Sequence, residues 1–166
     1  WPSGPIHRIH TGLAFPNGIL VRDGRLYVAE TQTNMIWIYE LSGAGNAQNP
    51  AVFAKLPDLK IPFPVGPDGM AFDGEGNIFI AEYGAGLVFL YDPAGYLRES
   101  IPIGGARPTN VCFGGRGHDT LYVTVDDLGS LVTVPAGVSG YRLPFCPSRS
   151  KDHPWSNMLP PDLVST

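Results

Sequence analysis

The heptapeptide Gly66-Pro-Asp-Gly-Met-Ala-Phe72 decides how this chain folds, because related stretches occur twice more. Those stretches are Phe15-Pro-Asn-Gly-Ile-Leu-Val21 and Arg107-Pro-Thr-Asn-Val-Cys-Phe113. Each has a proline followed by a polar residue, and each continues into a short apolar run. The polar residues Asn17, Asp68 and Thr109 are separated by 51 and 41 residues. The chain is therefore built from three units of one construction.

Each unit is predicted to contain several short strands. After the opening strand comes a glycine-containing turn and then a second apolar strand, at residues 26–29, 78–81 and 121–124. A third apolar run follows at 35–39, 86–91 and 130–134, and a fourth strand is predicted at 51–54 and 96–99. Four strands at a period of about 40 to 50 residues are typical of β-propeller blades. The sequence therefore predicts an all-β fold of about three four-stranded blades.

Two other fold classes explain the pattern less well. A helical fold is disfavoured because no stretch free of Pro and Gly is long enough, and the apolar residues cluster in runs. A β-sandwich also has short strands, but it does not predict the same proline-polar element at the head of each unit. The repeat favours the propeller.

Three blades do not close a ring, because propellers use about 4 to 8 blades to bury their faces and protect their innermost edges. Residues 6–11 resemble the last strand of a preceding blade, so we expect the chain to start within a ring. Residues 1–146 form the propeller part in this interpretation. Residues 147–166 are rich in Pro and Ser with scattered charge, and we expect them to form a flexible tail.

The composition indicates a folded protein and argues against a nucleic-acid partner. Apolar residues make up 43% of the 166 residues and charged residues only 16%, against about 25% charged residues in average domains. The 21 glycines and 17 prolines suit many tight turns. The formal net charge is −4, and the Lys and Arg residues are scattered. The chain therefore lacks the basic patch that binds phosphates.

Cysteine content and hydropathy set further bounds. Cys112 and Cys146 have no Cys or His at zinc-ligand spacing, and we expect Cys112 to be a small buried hydrophobe in its strand. No apolar run approaches the ~20 residues of a membrane-spanning helix, and no basic-then-apolar signal segment is present. We expect a soluble protein without a membrane partner, with the cytoplasm as its expected location, although the natural N-terminus can lie upstream of Trp1.

Oxygen-bearing side chains occupy equivalent positions in the three units. The residue that enters the innermost strand of a propeller blade faces the central channel, so Asn17, Asp68 and Thr109 are expected to converge near the axis. Their amide, carboxylate and hydroxyl oxygens suit a hard cation such as Ca²⁺ or Mg²⁺. Asn and Asp between Pro and Gly also form ordinary turns by bonding their own backbone. Spacing alone leaves both interpretations open.

Several of these motifs resemble the gluconolactonase / senescence marker protein (regucalcin) family. The resemblance is carried by Phe15-Pro-Asn-Gly-Ile19, Gly24-Arg-Leu-Tyr-Val-Ala-Glu-Thr31, Gly66-Pro-Asp-Gly-Met-Ala-Phe-Asp73 and Gly76-Asn-Ile-Phe-Ile-Ala81. Toward the C-terminus it continues through Pro108-Thr-Asn-Val-Cys-Phe-Gly-Gly115, Thr120-Leu-Tyr-Val-Thr124 and Gly140-Tyr-Arg-Leu-Pro-Phe145. The resemblance runs from about Leu13 to Phe145, and it implies the C-terminal half of a six-bladed propeller.

The resemblance also implies a chemistry for particular residues. The family holds a divalent metal at one mouth of the channel with a Glu of its first blade, the Asn of a Pro-Asn-Gly element and the Asp of a Pro-Asp-Gly element. The last two match Asn17 and Asp68. Asp68 is then the general base that activates water, while the metal polarises the carbonyl of a small lactone. Ca²⁺ is the expected metal, with Zn²⁺, Mg²⁺ and Mn²⁺ as alternatives. Thr109 and Asn110 are candidate substrate contacts at the channel mouth.

The chain departs from the family pattern in its missing blades. The first-blade Glu, and the Asn and Arg that the family places in its earlier blades, have no counterpart in this sequence. Two ligands do not hold a metal tightly, so we expect weak or no lactonase activity from this chain alone. The N-terminal half of the ring, or a second chain, is the expected partner that closes it.

Other polar residues are expected to be structural. Glu30 and Glu82 end equivalent second strands, which suggests a repeated structural role such as bonding the backbone of a neighbouring blade. Asp126 and Asp127 lie in the corresponding turn of the third unit, and His118 is expected to be a solvated turn residue. A serine hydrolase is disfavoured because no Gly-x-Ser-x-Gly elbow is present.

Three functions remain open at this point. The leading hypothesis is a divalent-metal-dependent hydrolase of small, sugar-acid-type lactones. The second is a non-catalytic propeller that acts as a binding platform or a calcium-responsive protein. The third is a propeller enzyme of the strictosidine-synthase kind, which needs no metal; the Pro-Asn-Gly and Pro-Asp-Gly pair favours the metal interpretation over it.

Overall fold

The computed structural model describes residues 6–43, 45–61 and 64–142. These residues form strands joined by turns, with one short 3₁₀ helix at Thr31–Thr33. The strands are β1 (Pro16–Arg22), β2 (Arg25–Glu30), β3 (Met35–Leu41), β4 (Ala47–Lys55), β5 (Gly66–Phe72), β6 (Ile78–Tyr83), β7 (Leu87–Tyr91), β8 (Leu97–Pro102), β9 (Pro108–Gly114), β10 (Thr120–Val125) and β11 (Ser130–Pro135).

Three antiparallel sheets follow one another along the chain, and each is one predicted unit. The first contains β1 to β4, the second β5 to β8 and the third β9 to β11, with neighbours in sequence paired in each sheet. The first strands β1, β5 and β9 lie side by side across the three sheets. This arrangement confirms the all-β, partial-propeller prediction: the three sheets are blades, and their first strands line the hub.

The structure differs from the sequence prediction at two edges. The third blade has three strands within the described residues rather than four. Residues 6–11 carry no strand, because a strand needs a hydrogen-bonded neighbour to satisfy its backbone and none pairs with this segment within the described residues. The 146/147 boundary and the proposed tail, residues 147–166, lie outside the described residues.

The core lies between the blades. In β6, Ile78 and Ile80 pack toward the first blade, while Phe79 and Ala81 pack toward the third. All four side chains are 0–1% exposed. A strand that is covered on both faces has a continuous run of apolar residues, whereas a strand covered on one face alternates apolar and polar residues. This explains the sequence Ile-Phe-Ile-Ala.

Arg22 joins the first two blades at the end of β1 away from Asn17. Its guanidinium donates to the backbone oxygens of Asp73 and Gly74, at 2.6 and 3.0 Å. It also lies over the rings of Phe72 and Tyr141, at 5.6 and 4.4 Å from their centroids. Cation–π contacts of this kind add to hydrogen bonds in holding a cation in place. Arg22 thereby holds the segment that contains Tyr141 against the end of β5.

Glu30 has a structural role, but its hydrogen bonds stay within the first blade and the segment before β1 instead of reaching the backbone of a neighbouring blade. Its carboxylate accepts hydrogen bonds from the Ala14 amide at 2.6 Å, from the Trp37 indole at 2.7 Å and from the Thr33 hydroxyl. Burial acts to raise the pKa of Glu30, but these hydrogen bonds outweigh it and leave the pKa below its ordinary value of 4.5. Glu30 thus fixes the segment before β1 to the first blade as a charged, fully bonded group.

Glu82 occupies the equivalent position in the second blade without these partners. Ala85 and Phe89 stand where the first blade has Thr33 and Trp37, so both side-chain donors are replaced by apolar groups. The Glu82 side chain is fully buried, and neither carboxyl oxygen has a hydrogen-bond partner in the described part of the chain. Burial raises the pKa of Glu82 to about 8. This carboxyl is therefore mainly protonated at neutral pH.

The two glutamates predict opposite effects of the same substitution. Glu30→Met should destabilise the fold by about 2 kcal/mol or more, because the Ala14 and Trp37 N–H groups lose their acceptor. Glu82→Met should be neutral or stabilising, because it replaces an unbonded buried carboxyl with an apolar group. Urea unfolding of both variants measures the difference, and an equal loss in the two would contradict it.

The pH dependence of the same unfolding experiment follows from the raised pKa of Glu82. The folded state keeps its proton while the unfolded state loses it, so stability from this group falls as pH rises from about 4.5 to about 8. Glu82→Met removes this pH-dependent loss. The free energy of unfolding of the variant should therefore exceed that of the wild type by more at about pH 8 than at about pH 5. An advantage independent of pH would count against a protonated Glu82.

Candidate functional site

A break in strand pairing sets the direction of the polar residues at the hub. In the first blade Pro16 pairs with Glu30 and Ile19 with Val28, so three steps along β1 match two along β2. The same irregularity follows Pro67 in β5 and Pro108 in β9. Bulges of this kind re-aim a side chain and are common beside active sites. In each blade the polar residue after the proline lies at this break.

The structure brings all four predicted site residues to one cavity. This hub cavity has a volume of about 570 Å³ and is lined by Asn17, Gly18, Ile19, Asp68, Gly69, Met70, Thr109, Asn110 and Thr124. It lies at the end of the inner strands where each blade begins. Its polar groups are one carboxylate, two amides and two hydroxyls. The residues therefore share a site, while their roles as ligands or substrate contacts stay predictions.

Close approach of the inner strands holds these residues together. A Cβ on Gly18 would lie 2.1 Å from the Asp68 backbone oxygen, and a Cβ on Gly69 would lie 2.6 Å from the Asn110 Cα. Both distances are far below van der Waals contact. Both positions therefore require glycine. Gly18 lets β5 lie against β1, and Gly69 lets β9 lie against β5.

Asn17 is oriented by its neighbour Thr31. The Asn17 amide nitrogen donates to the Thr31 hydroxyl at 3.5 Å, and that hydroxyl donates to the Pro67 backbone oxygen at 2.8 Å. With its nitrogen used in this way, the Asn17 side-chain oxygen is left as an acceptor at the cavity. The chain from Asn17 through Thr31 to Pro67 also ties the first blade to the second beside Asp68.

Asp68 is half-buried and lacks a compensating cation. Burial raises its pKa above the ordinary value of 3.8, and a hydrogen bond from the Gly69 backbone N–H offsets part of that effect. Within the described residues, no Lys or Arg forms a salt bridge with this carboxylate. A nearby positive charge would favour its ionised form.

The donor set fits a hard divalent cation in part. An uncompensated carboxylate and an available amide oxygen share one cavity, and Ca²⁺ and Mg²⁺ prefer such oxygen ligands. In the part of the chain that the structure describes, no three His, Cys, Asp or Glu side chains cluster as a metal-binding group. Asn17 and Asp68 are therefore two members of a ligand set rather than a complete one.

The prediction that Cys112 is buried is wrong. Val111 is buried against the second blade, so the alternation of β9 turns Cys112 to the opposite face, where it is exposed. Cys112 lines a second, mainly apolar cavity of about 470 Å³, which shares Ile19 and Met70 with the hub cavity. His118 also lines this cavity, half-buried, in the predicted turn.

Asp127 has a structural role in the third blade. Its carboxylate accepts hydrogen bonds from the backbone N–H groups of Ala106 and Arg107, at 2.9 and 2.8 Å. These bonds lower its pKa below the ordinary value of 3.8 and fix the turn that leads into β9. Asp126 lies 3.6 Å from the Arg107 guanidinium. Neither carboxylate lines the hub cavity.

The fold and the hub cavity define a β-propeller with an oxygen-lined site where its inner strands begin. The family model for the SMP-30/gluconolactonase/LRE-like region matches residues 2–126. The chain therefore belongs to this family, as its motifs predict. In its described residues the structure contains no helix that is both long and apolar enough to cross a membrane.

Individual relatives agree with the family assignment. Diisopropyl-fluorophosphatase from Loligo vulgaris is 33% identical over 131 residues, which cover 74% of this chain and 40% of that protein. Pentonolactonase XacC from Haloferax volcanii is 34% identical over 127 residues, covering 74% and 42%. The crystal structure of a calcium-binding regucalcin from Agrobacterium tumefaciens has a TM-score of 0.63 and 25% identity, covering 75% and 46%. The chain spans less than half the length of each of these three proteins.

Substitution of Gly18 tests the contact that sets the site. Gly18→Ala should destabilise the fold by about 1 to 3 kcal/mol, because the new methyl group meets the backbone of Asp68. Gly43→Ala is the matched control, since nothing lies within 4 Å of its Cβ position, and its effect should stay within about 0.5 kcal/mol. Chemical denaturation measures both. Equal stability of the two variants would show that the blades do not meet at Gly18.

Proposed function

We propose that this chain carries part of the active site of a divalent-metal-dependent hydrolase of small, sugar-acid-type lactones. The observation that carries the proposal is the uncompensated, half-buried carboxylate of Asp68 in the same cavity as Asn17, in a chain of the gluconolactonase family. The pentonolactonase relative supports lactone hydrolysis, and the calcium-binding regucalcin supports Ca²⁺ as the metal. Zn²⁺, Mg²⁺ and Mn²⁺ are alternatives.

In this proposal Asn17 and Asp68 supply two oxygen ligands. The bound dication would polarise the lactone carbonyl and stabilise the negative charge that develops on its oxygen. Asp68 accepts the proton of the attacking water through its carboxylate, which must be ionised to act as a general base. Asn17, whose amide nitrogen faces the Thr31 hydroxyl, presents its amide oxygen to the cavity. Thr109 and Asn110 lie across the cavity from the first blade, where they contact the substrate.

We propose further that additional blades complete the ring and the ligand set. Three blades are fewer than the about 4 to 8 with which propellers close their ring. On the third blade Val132 and Val134 pack toward the second, while Leu131, which alternates with them along β11, is 65% exposed. The closing blades come from an upstream segment of the same polypeptide or from a second chain. A second copy of this chain would repeat Asn17 and Asp68 rather than supply a further Glu.

A non-catalytic, calcium-responsive protein is the second candidate function. It is favoured by the regucalcin similarity and by the two-residue ligand set of the described residues. Metal binding with no hydrolysis of any lactone, even after the ring is completed, would support it over the hydrolase.

Calcium binding is tested by thermal unfolding. Ca²⁺ at tenfold above its Kd should stabilise the chain by about 1.4 kcal/mol, with a weak, millimolar Kd because two ligands are available. Asp68→Asn should abolish this stabilisation, since the amide carries no charge. The exposed Glu99→Gln on β8 is the control and should respond as the wild type does. An undiminished response in Asp68→Asn would remove Asp68 from the site.

Hydrolysis is tested with D-glucono-1,5-lactone in a pH-stat, using diisopropyl fluorophosphate as a second substrate because of the squid relative. The 166-residue chain alone should show weak or no turnover. Extension of the sequence upstream of Trp1 should supply the missing blades and give a Ca²⁺-dependent lactonase that Asp68→Ala inactivates. Clear turnover by the short chain would disprove its incompleteness, and an active Asp68→Ala enzyme would disprove the role of Asp68.

A further inference from the structure

The third blade differs from the first two at one position beside the hub. Ala29 and Ala81 occupy this position in β2 and β6, next to the break in the inner strand, and both are fully buried. Thr124 occupies it in β10, where it is exposed and pairs with Asn110. A small side chain is required where the next blade packs against the strand. The third blade instead carries a hydroxyl.

That hydroxyl forms a pair with the hydroxyl of Thr109. The two side-chain oxygens are 2.7 Å apart, which is the usual distance for an O–H···O hydrogen bond. Other acceptors are farther away, since Thr109 reaches the Thr124 backbone oxygen at 3.4 Å and Thr124 reaches the Asn110 backbone oxygen at 3.5 Å. The strongest contact of each hydroxyl is therefore the other hydroxyl.

The pair lies in the hub cavity with the proposed catalytic group. Both threonines line the cavity that contains Asn17 and Asp68. Each hydroxyl has one proton and two lone pairs. When Thr124 donates to Thr109, the Thr109 proton is free for a ligand, and the reverse orientation frees the Thr124 proton. The pair can thus donate to, or accept from, a hydroxyl group placed beside it.

We propose that the Thr109–Thr124 hydroxyl pair recognises a ring hydroxyl of the substrate and so selects polyhydroxylated lactones over alkyl lactones. Thr109, at the break in β9, contacts the substrate, and Thr124 sets the direction of the Thr109 hydroxyl. This inference rests on the proposed function, because it assumes that a lactone occupies the hub cavity. A lactone ring without hydroxyls would form no hydrogen bond with the threonine pair, and it would therefore bind more weakly.

The test measures binding of a cyclic polyol rather than turnover. 1,5-Anhydro-D-glucitol, which has ring hydroxyls and no lactone carbonyl, is titrated into the ¹⁵N-labelled 166-residue chain in the presence of EDTA. Saturable shifts are expected at the amides of Thr109, Asn110 and Thr124. Tetrahydropyran, the same ring without hydroxyls, should give none at equal concentration.

Variants of the pair assign the effect to its hydroxyls. Thr124→Val should weaken polyol binding by about threefold to tenfold, as expected for one neutral hydrogen bond, while Thr124→Ser should restore it. Thr109→Val should weaken it at least as much. Thr133→Val, an exposed threonine of β11, is the matched control and should leave binding unchanged. The unperturbed amide spectrum of each free variant verifies that the fold is intact.

Three results would overturn the inference: no saturable binding of the polyol, equal binding of tetrahydropyran, or undiminished polyol binding by both valine variants. The calcium response of Asp68 is measured separately. Threonine-dependent polyol binding without any Asp68-dependent calcium response would contradict the role of Asp68 as a metal ligand and leave hydroxyl recognition in the cavity standing. The converse result would disprove only the role of the threonine pair.

Discussion

The contact between adjacent inner strands at the hub is the constraint on which the rest of this structure depends. Gly18 meets the backbone of Asp68, and Gly69 meets that of Asn110, at distances that leave no room for a Cβ. These contacts let the inner strands of adjacent blades lie against each other, and the residue after each proline thereby lines one cavity. Fold and site therefore share one physical cause in the first two blades, because the glycine that permits the close approach directly follows Asn17 in one blade and Asp68 in the next.

The blades repeat in geometry but not in chemistry. Glu30 and Glu82 stand at the same place in their sheets, yet one is charged and bonded to three donors while the other is buried without any in the described residues. At a second repeated position the first two blades carry the buried residues Ala29 and Ala81, whereas the third carries the exposed Thr124. A repeated backbone sets where a side chain points, whereas its neighbours decide whether that side chain is ionised, bonded or apolar. The functional differences between blades therefore lie in a few substitutions on a constant frame.

Membership of the SMP-30/gluconolactonase/LRE-like family is consistent with this architecture. The chain spans less than half the length of the diisopropyl-fluorophosphatase, pentonolactonase and regucalcin relatives, and its three blades present one edge of a hub cavity. Carboxylate, amide and hydroxyl oxygens are concentrated on that edge. Such a surface can bind a cation and a hydroxylated ligand side by side, which is the chemical basis of both proposals.

The sequence by itself determined the repeat and the boundaries of most strands, because a period of proline, polar residue and apolar run is a local property of the chain. Its motifs also predicted the family, and they predicted Asn17, Asp68, Thr109 and Asn110 as site residues, which the structure brings to one cavity. It did not determine the environment of Cys112, the missing donors of Glu82 or the pairing of Thr109 with Thr124. Those features depend on which face of a strand meets another blade and on a break in strand pairing that shifts the alternation by one residue. Only the tertiary structure decides them, because burial and hydrogen bonding are set by residues distant in sequence.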